Sequence, residues 1–168
     1  MKPYKTDETG VKILEILTSN ARASVEEIGQ QMNLEPEKVD AYIKKFEKDR
    51  IILGYRTSIN WQRIKQYDVK ALIEVKVTPE RNVGFDAIAE QIFRFPEVSS
   101  LSLVSGTFDL LVQVEGENLM SVARFVSEKL STLKGVQSSV SHFLLKKYKE
   151  EGIIFEEQPS SKRLPVVP

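Results

Sequence analysis

SVEEIGQQMNLEPEKVDAYIKKFEKDRIIL, residues Ser24 to Leu53, reads as two short helices, a tight turn and a short apolar segment. Ser24 and Glu27 form an S-x-x-E capping box: the hydroxyl accepts from an orphan amide while the carboxylate reaches back to the cap amide. Val25, Ile28 and Met32 follow at helical spacing and give this helix one buried face. Asn33 suits a left-handed stop, and Leu34 closes the turn. Pro36 suits the first position of a second helix, where its missing N–H leaves nothing unsatisfied. Val39, Tyr42, Ile43 and Phe46 then form one inward stripe, which turns Glu37, Lys38, Ala41, Lys44, Lys45 and Lys48 outward. Two helices joined by a short turn, the second with a basic outer edge, fit a helix-turn-helix whose second helix enters the major groove. A plain αα-hairpin inside a core fits the same pattern.

At 168 residues the chain holds one ordinary domain or two small ones. A hydrophobic content of 41% indicates a globular chain rather than a disordered one. Lys+Arg and Asp+Glu each number 24, so nucleic-acid binding has to rest on clustered rather than total charge. The absence of Cys excludes a disulfide framework and a thiolate metal site. A single histidine, His142, argues against a histidine-based metal or catalytic centre, so no metal is expected. No apolar run approaches the length of a membrane helix, and MKPYKTDETG lacks the apolar core of a signal peptide. The expected location is the cytoplasm.

Ahead of the capping box, Thr6 or Asp7 can cap a first helix with an apolar face of Val11, Ile13, Leu14, Ile16 and Leu17, ended near Asn20. Behind the third helix, Ile51 to Tyr55 read as the start of a β-hairpin wing, with Gly54 in its turn. Arg56 there is either a phosphate contact or a solvated arginine. NWQRIKQYD, Asn60 to Asp68, is a join in which Trp61 is expected to pack at a seam. From Val69 the alternation of Ala71, Ile73, Val75 and Val77 marks a strand, and Pro79 to Asn82 mark a loop. A helix follows over Phe85, Ile88, Ala89, Ile92 and Phe93, ended at Pro96. Two strands flank Gly106. Asn118 then caps a helix with Leu119, Val122, Ala123, Val126, Leu130 and Leu133 inward, and Val136 to Lys146 make a last strand. The order β-α-β-β-α-β is the ferredoxin-like arrangement, with both helices on one sheet face.

The period of two turns Leu110, Val112 and Val114 toward those helices and Asp109, Leu111, Gln113 and Glu115 away. On the last strand Val136 and Val140 are expected inward, with His142 on their side, and Ser139, Ser141 and Phe143 outward. The open face, bearing Leu72, Leu111 and Phe143, is a candidate dimer surface or a solvated sheet face. The tail EEGIIFEEQPSSKRLPVVP, Glu150 to Pro168, is expected to be a flexible extension in which Ile153, Ile154 and Phe155 can dock on a neighbour.

The layout over Thr6 to Lys149 resembles the Lrp/AsnC family of transcription regulators. DETGVKILEILTSNARASVEEIGQQM resembles the family's opening helix, N-x-R turn and second helix. LEPEKVDAYIKKFEKDRIILGY resembles its recognition helix and I-x-GY wing. PEVSSLSLVSGTFDLLVQVE resembles its GxxD stretch, and LKGVQSSVSHFLLKKYK its closing strand. The resemblance implies an α+β chain: a winged helix-turn-helix DNA-binding domain over 1–55, a linker strand or join over 56–68, and a βαββαβ ligand-binding and oligomerisation (RAM) domain over 69–149. Residues 150–168 are then an extension. It also implies homodimers that assemble into octamers or other rings on double-stranded DNA, and an amino-acid effector between dimers. The effector's carboxylate is expected at the turn amides of Ser105, Gly106, Thr107 and Phe108, and its ammonium at Asp109, Ser139 and Ser141. A β-turn in which Asp109 bonds local backbone, with the two serines merely solvated, fits the same residues. The sequence departs from the family at Glu35, where serine is usual, at Asp40, Ala41 and Tyr42, where arginines are common, at Gly10, which replaces an acid, and at Ser139 and Ser141, where threonines are common.

These readings lead to a sequence-specific DNA-binding regulator tuned by a small effector, with no cofactor. Lys38, Ala41, Lys44 and Lys45 face the groove or its flanking phosphates, and Arg22 and Arg56 are outer phosphate contacts. One alternative is an oligomeric ligand-sensing module whose helix-turn-helix is degenerate, which the acids Glu35, Glu37 and Asp40 favour. Another is a haem-pathway decarboxylase of related architecture. The lone His142 and the lack of a nucleophile–base pair or phosphate-cradling glycine loop weigh against it, so no enzyme is expected.

Overall fold

A computed structural model describes residues 4–61, 64, 69–79 and 84–155. The chain divides into two units, Met1–Ile59 and Asn60–Pro168. The expected join at Gln62, Arg63 and Lys65 to Asp68, the loop at Glu80 to Asn82, and the tail from Glu156 onward lie outside the described residues.

The first unit is three helices: α1 (Glu8–Ser19), α2 (Val25–Met32) and α3 (Pro36–Lys48). Asp7 caps α1 by accepting from the Gly10 amide at 2.8 Å. The expected capping box closes α2, with Ser24 Oγ accepting from Glu27 N at 3.1 Å and Glu27 Oε2 from Ser24 N at 2.8 Å. Asn33 ends α2 in the left-handed conformation, φ 53°, and Pro36 opens α3. Ile13, Leu17, Ile28 and Val39 form the core, lined by Ile16, Val25, Met32, Leu34, Tyr42, Ile43 and Ile52. Two glycines set how closely the chain packs here. A Cβ on Gly29 would sit 2.7 Å from the Leu34 carbonyl oxygen, and one on Gly10 would sit 2.8 Å from Phe46 Cζ. The Gly10 position therefore admits Phe46 to the side of α1, at a small loss of helix propensity.

The segment read as the start of a wing is partly absorbed into the end of α3: the Ile51 and Ile52 amides both donate to the Phe46 carbonyl, at 2.8 and 3.1 Å. Residues 53–60 run without a strand partner among the described residues. Tyr55 is held by a 2.9 Å hydrogen bond from its hydroxyl to Glu47 Oε1.

The second unit is built on an antiparallel sheet of β1 (Val69–Val77), β2 (Val98–Leu103), β3 (Leu110–Gly116) and β4 (Val136–Phe143), in the order β2-β3-β1-β4. Helix α4 (Asp86–Phe93) connects β1 to β2, and α5 (Leu119–Arg124) opens the β3–β4 connection. Ala71, Ile73, Val75 and Val77 pack with Leu110, Val112 and Val114 under Ile88, Ile92, Val122, Phe125 and Leu130. Asn118 and Ser121 form a capping box at the start of α5. This helix passes into a π-helical stretch, Phe125–Leu130. The wider turn puts Phe125 and Leu130, five residues apart, both in the core, while Leu119 is exposed and Ala123 faces out.

The last strand departs from the expected alternation. Val136 pairs with Val77, but the register slips between Lys76 and Val77, so that Ser138 pairs with Lys76, Ser139 with Val75, Ser141 with Ile73 and Phe143 with Ala71. One extra residue in the β4 bulge reverses every later side chain. Ser139, Ser141 and Phe143 share the helix side with the buried Ala71, Ile73 and Val75, and Phe143 packs on that core. Val140 is turned out, 52% exposed, beside Glu74. His142, expected inward, is also on the open face, with Nε2 3.1 Å from Glu74 Oε1.

The C-terminal segment is also more ordered than expected. β5 (Lys149–Glu150) and β6 (Ile153–Ile154) pair as a small hairpin. Glu151 and Gly152 turn it with φ 46° and 85°, the two positive values a two-residue hairpin loop uses. Asn60 Nδ2 donates to the Phe155 carbonyl at 3.0 Å and anchors its end. Among the described residues no helix is long and apolar enough to cross a membrane, and no group of three or more His, Asp or Glu could hold a metal ion.

Candidate nucleic-acid and effector sites

Helix α3 is anchored by Val39 and Phe46, 0% and 1% exposed, and these fix its rotation. Every outward residue named from the sequence is exposed: Glu37, Lys38, Ala41, Lys44, Lys45 and Lys48, as are Arg22 and Arg56. Lys38, Ala41 and Lys45 fall on one helical row, and Glu37, Ala41, Lys44 and Lys48 on the adjacent one, so Ala41 sits at the centre of the face. Its lysines differ in their partners. Lys44 Nζ is 2.7 Å from Asp40 Oδ2, and this bond raises the lysine pKa above its usual value. The Lys45 and Lys48 side chains cluster in the last turn, where cations also suit the negative end of the helix dipole.

Tyr42 is not part of this face. Its hydroxyl donates to Asp7 Oδ2 at 2.5 Å. That bond, with the Gly10 amide, holds the Asp7 carboxyl below the usual carboxylate range, and the same bond pushes the tyrosine hydroxyl up. Tyr55 is likewise raised, by burial first and by Glu47 second. Sequence reading missed both tyrosine–acid ties, because the partners are 35 and 8 residues apart and follow no periodic spacing.

In the second unit, Ser105 to Asp109 form the turn between β2 and β3. Ser105, Gly106 and Thr107 are exposed; Phe108 and Asp109 are partly buried. Asp109 is built into the sheet: its amide donates to the Val75 carbonyl at 3.1 Å, its carbonyl accepts from Val104 N at 2.9 Å, and its Oδ2 accepts from Val77 N at 2.9 Å. The carboxylate thus extends the β1–β3 ladder one step past the Val75–Leu110 pair. The structure does not bring Ser139 and Ser141 to this turn within one protomer. They lie on β4, across β1 from β3 and about 10 Å away at the usual strand spacing, and they face the helices rather than the open side.

The open face of the sheet carries Leu72 and Glu74 on β1, Leu111 and Gln113 on β3, and Val140 and His142 on β4. Glu74 pairs with both Leu111 and Val140, and Leu72 with both Gln113 and His142. Phe143, expected there, is replaced by Val140, so the face carries the apolar Leu72, Leu111 and Val140 around Glu74 and His142.

Residues 6–52 match the winged helix-turn-helix DNA-binding family, and residues 70–154 match the Lrp/AsnC ligand binding domain. The chain is 46% identical over 165 residues to YugG, an HTH-type transcriptional regulator of Bacillus subtilis, covering 98% of this chain and 99% of that protein. It is 28% identical over 153 residues to a proline dehydrogenase transcriptional activator of Rhizobium radiobacter, with 89% and 97% covered. A transcriptional regulator of Neisseria meningitidis, solved as its L-Met complex, superposes with a TM-score of 0.70 at 26% identity over 87% of this chain and 94% of that one. E. coli AsnC has the same fold, with a TM-score of 0.69 at 21% identity over 88% and 97%. With its three-helix reading head and its split βαβ sheet both matched end to end, the chain belongs to the Lrp/AsnC family of helix-turn-helix transcriptional regulators.

Proposed function

We propose that this regulator binds double-stranded DNA in the cytoplasm through the exposed face of α3, pairs through its open sheet face, and is tuned by a free amino acid held at the β2–β3 turn. The observation that carries the proposal is the rotation of α3: Val39 and Phe46 are buried while Lys38, Ala41, Lys44 and Lys45 are all in solvent. Arg22 and Arg56 supply outer phosphate contacts. The turn amides of Ser105 to Phe108 suit a carboxylate, and Asp109 suits an ammonium group through the oxygen not given to Val77. Ser139 and Ser141, on the helix side of β4, join the ligand only from another protomer. A neighbour solved with L-Met supports an amino acid as the ligand class. Ligand that binds one assembly state better than another shifts that equilibrium by its differential affinity. A homodimer follows from self-pairing of the Leu72, Leu111 and Val140 face, and rings of such dimers need a second contact elsewhere on the chain.

The effector is tested by a thermal-shift screen of the twenty amino acids. At least one is expected to raise Tm, and Asp109→Asn should abolish the rise, because an amide still accepts from Val77 N but no longer matches an ammonium. A screen without any rise sinks the amino-acid assignment.

One observation favours a second reading, an assembly module whose helix-turn-helix no longer engages DNA: Asp40 already neutralises Lys44, and Glu35 and Glu37 add negative charge at the start of α3. Normal assembly with no DNA shift at low salt would select this reading. The decarboxylase alternative predicts binding of added tetrapyrrole, and a colourless protein that ignores it supports a regulator without enzymatic activity.

A further inference from the structure

We infer that Glu37 reads a cytosine and Ala41 the methyl of a nearby thymine, so that α3 recognises its site through an acid and a methyl group. This rests on the DNA-binding reading above. The outward face of α3 has no arginine, the side chain that most often reads guanine. Of the acids along the helix, Asp40 is bonded to Lys44 and Glu47 accepts from Tyr55. The Glu37 carboxylate is exposed and has no partner among the described residues. It stands one residue after Pro36, in the first turn, the part of a recognition helix that reaches base edges.

A carboxylate in a groove is repelled by the phosphates on both sides unless it meets a hydrogen-bond donor. It is acceptor-only, and the major groove offers it two amino groups. Adenine places the acceptor N7 beside its amino group, which repels the second carboxylate oxygen. Cytosine presents its N4 amino group without that neighbour, so cytosine is the better match. Ala41 lies one turn on, at i+4 on the same face, about 6 Å along the axis. At about 3.4 Å per base pair, that spans one to two steps of the duplex. Its exposed methyl has an apolar counterpart there in the thymine C5-methyl group.

The test is binding-site selection from a randomised duplex pool with the full-length wild type, Glu37→Gln and Glu37→Ala. All three proteins should have matching circular dichroism, since Glu37 is exposed. The wild type is expected to select cytosine at one position of each half-site, with thymine within two base pairs. Glu37→Gln should move that single position to adenine, which an amide bonds through N6 and N7, and leave the rest of the motif in place. Glu37→Ala should lose roughly tenfold or more of the discrimination at that position. The same motif from all three proteins overturns the inference and leaves DNA binding intact, with Glu37 acting only by charge. A wild type that retains no duplex from the pool at low salt removes the DNA-binding reading and this inference together, and one that retains duplex without selecting a sequence overturns the inference alone.

Discussion

The hydroxyl of Tyr42 and the carboxylate of Asp7 meet at 2.5 Å, joining the cap of α1 to the middle of α3. One carboxylate thereby caps a helix and fastens the recognition helix to it. The bond from Tyr42 and the Gly10 amide hold the Asp7 pKa below its ordinary 3.8. Because the folded value is depressed, this contribution to stability is complete above the unfolded value and is lost as pH falls through the folded one. Tyr42→Phe should lower Tm at neutral pH and flatten the acid loss of Tm below about pH 4, where that carboxylate protonates. Calorimetry across that range checks it. Superimposable acid limbs for wild type and variant would rule out the tie.

Gly29 sits inside α2, where alanine is ordinarily better by about 1 kcal/mol. Here the added Cβ would lie 2.7 Å from a backbone oxygen of the turn, and backbone yields less readily than a side-chain tip. Gly29→Ala should therefore destabilise the chain by about 1–3 kcal/mol, as overpacking does. A urea titration reads this as a lower midpoint; a raised midpoint means the turn relaxes freely.

Asp40 restrains Lys44 and places a negative charge beside the DNA-facing row. Asp40→Ala should strengthen binding to random-sequence duplex and steepen the slope of log K against log salt by about 0.9, one added phosphate contact. Fluorescence anisotropy at several salt concentrations measures both. An unchanged slope would mean Lys44 does not reach a phosphate.

Leu72 and Leu111 lie on the open face, on neighbouring strands. Leu72→Asp combined with Leu111→Asp should leave the secondary structure intact and reduce the sedimenting species toward the 19.1 kDa monomer. Retention of the wild-type mass would place self-association elsewhere.

Elements whose signals are local were legible in the sequence. The Ser24–Glu27 box, the Asn33 stop, Pro36 at the start of α3 and the alternation of β1 and β3 each depend on residues a few positions apart. The β4 register was not. In VQSSVSHF the parity of Val136 and Val140 conflicts with that of Phe143. Following the valines placed Ser139 and Ser141 on the wrong face and His142 inside. The conflict itself was the signal of a bulge, because Phe143 gains more from burial than Val140 does. The π-helical stretch left a similar trace, the five-residue step from Phe125 to Leu130, which a period of 3.6 passes over. Of the candidate site, the exposed row on α3 was readable from helical period alone. The tie of Asp109 to Val77 was not, since it joins strands 32 residues apart and belongs to sheet topology.

The most direct measurement of the central claim is the salt dependence of binding by the full-length protein to a duplex from its own upstream region. Wild type should bind at low salt with a steep negative slope, and Lys38→Ala with Lys45→Ala should reduce that slope by about 1.8, two phosphate contacts, with the fold retained. Absence of binding at low salt, or a slope that ignores both lysines, would contradict the assignment of α3 as the DNA-reading helix.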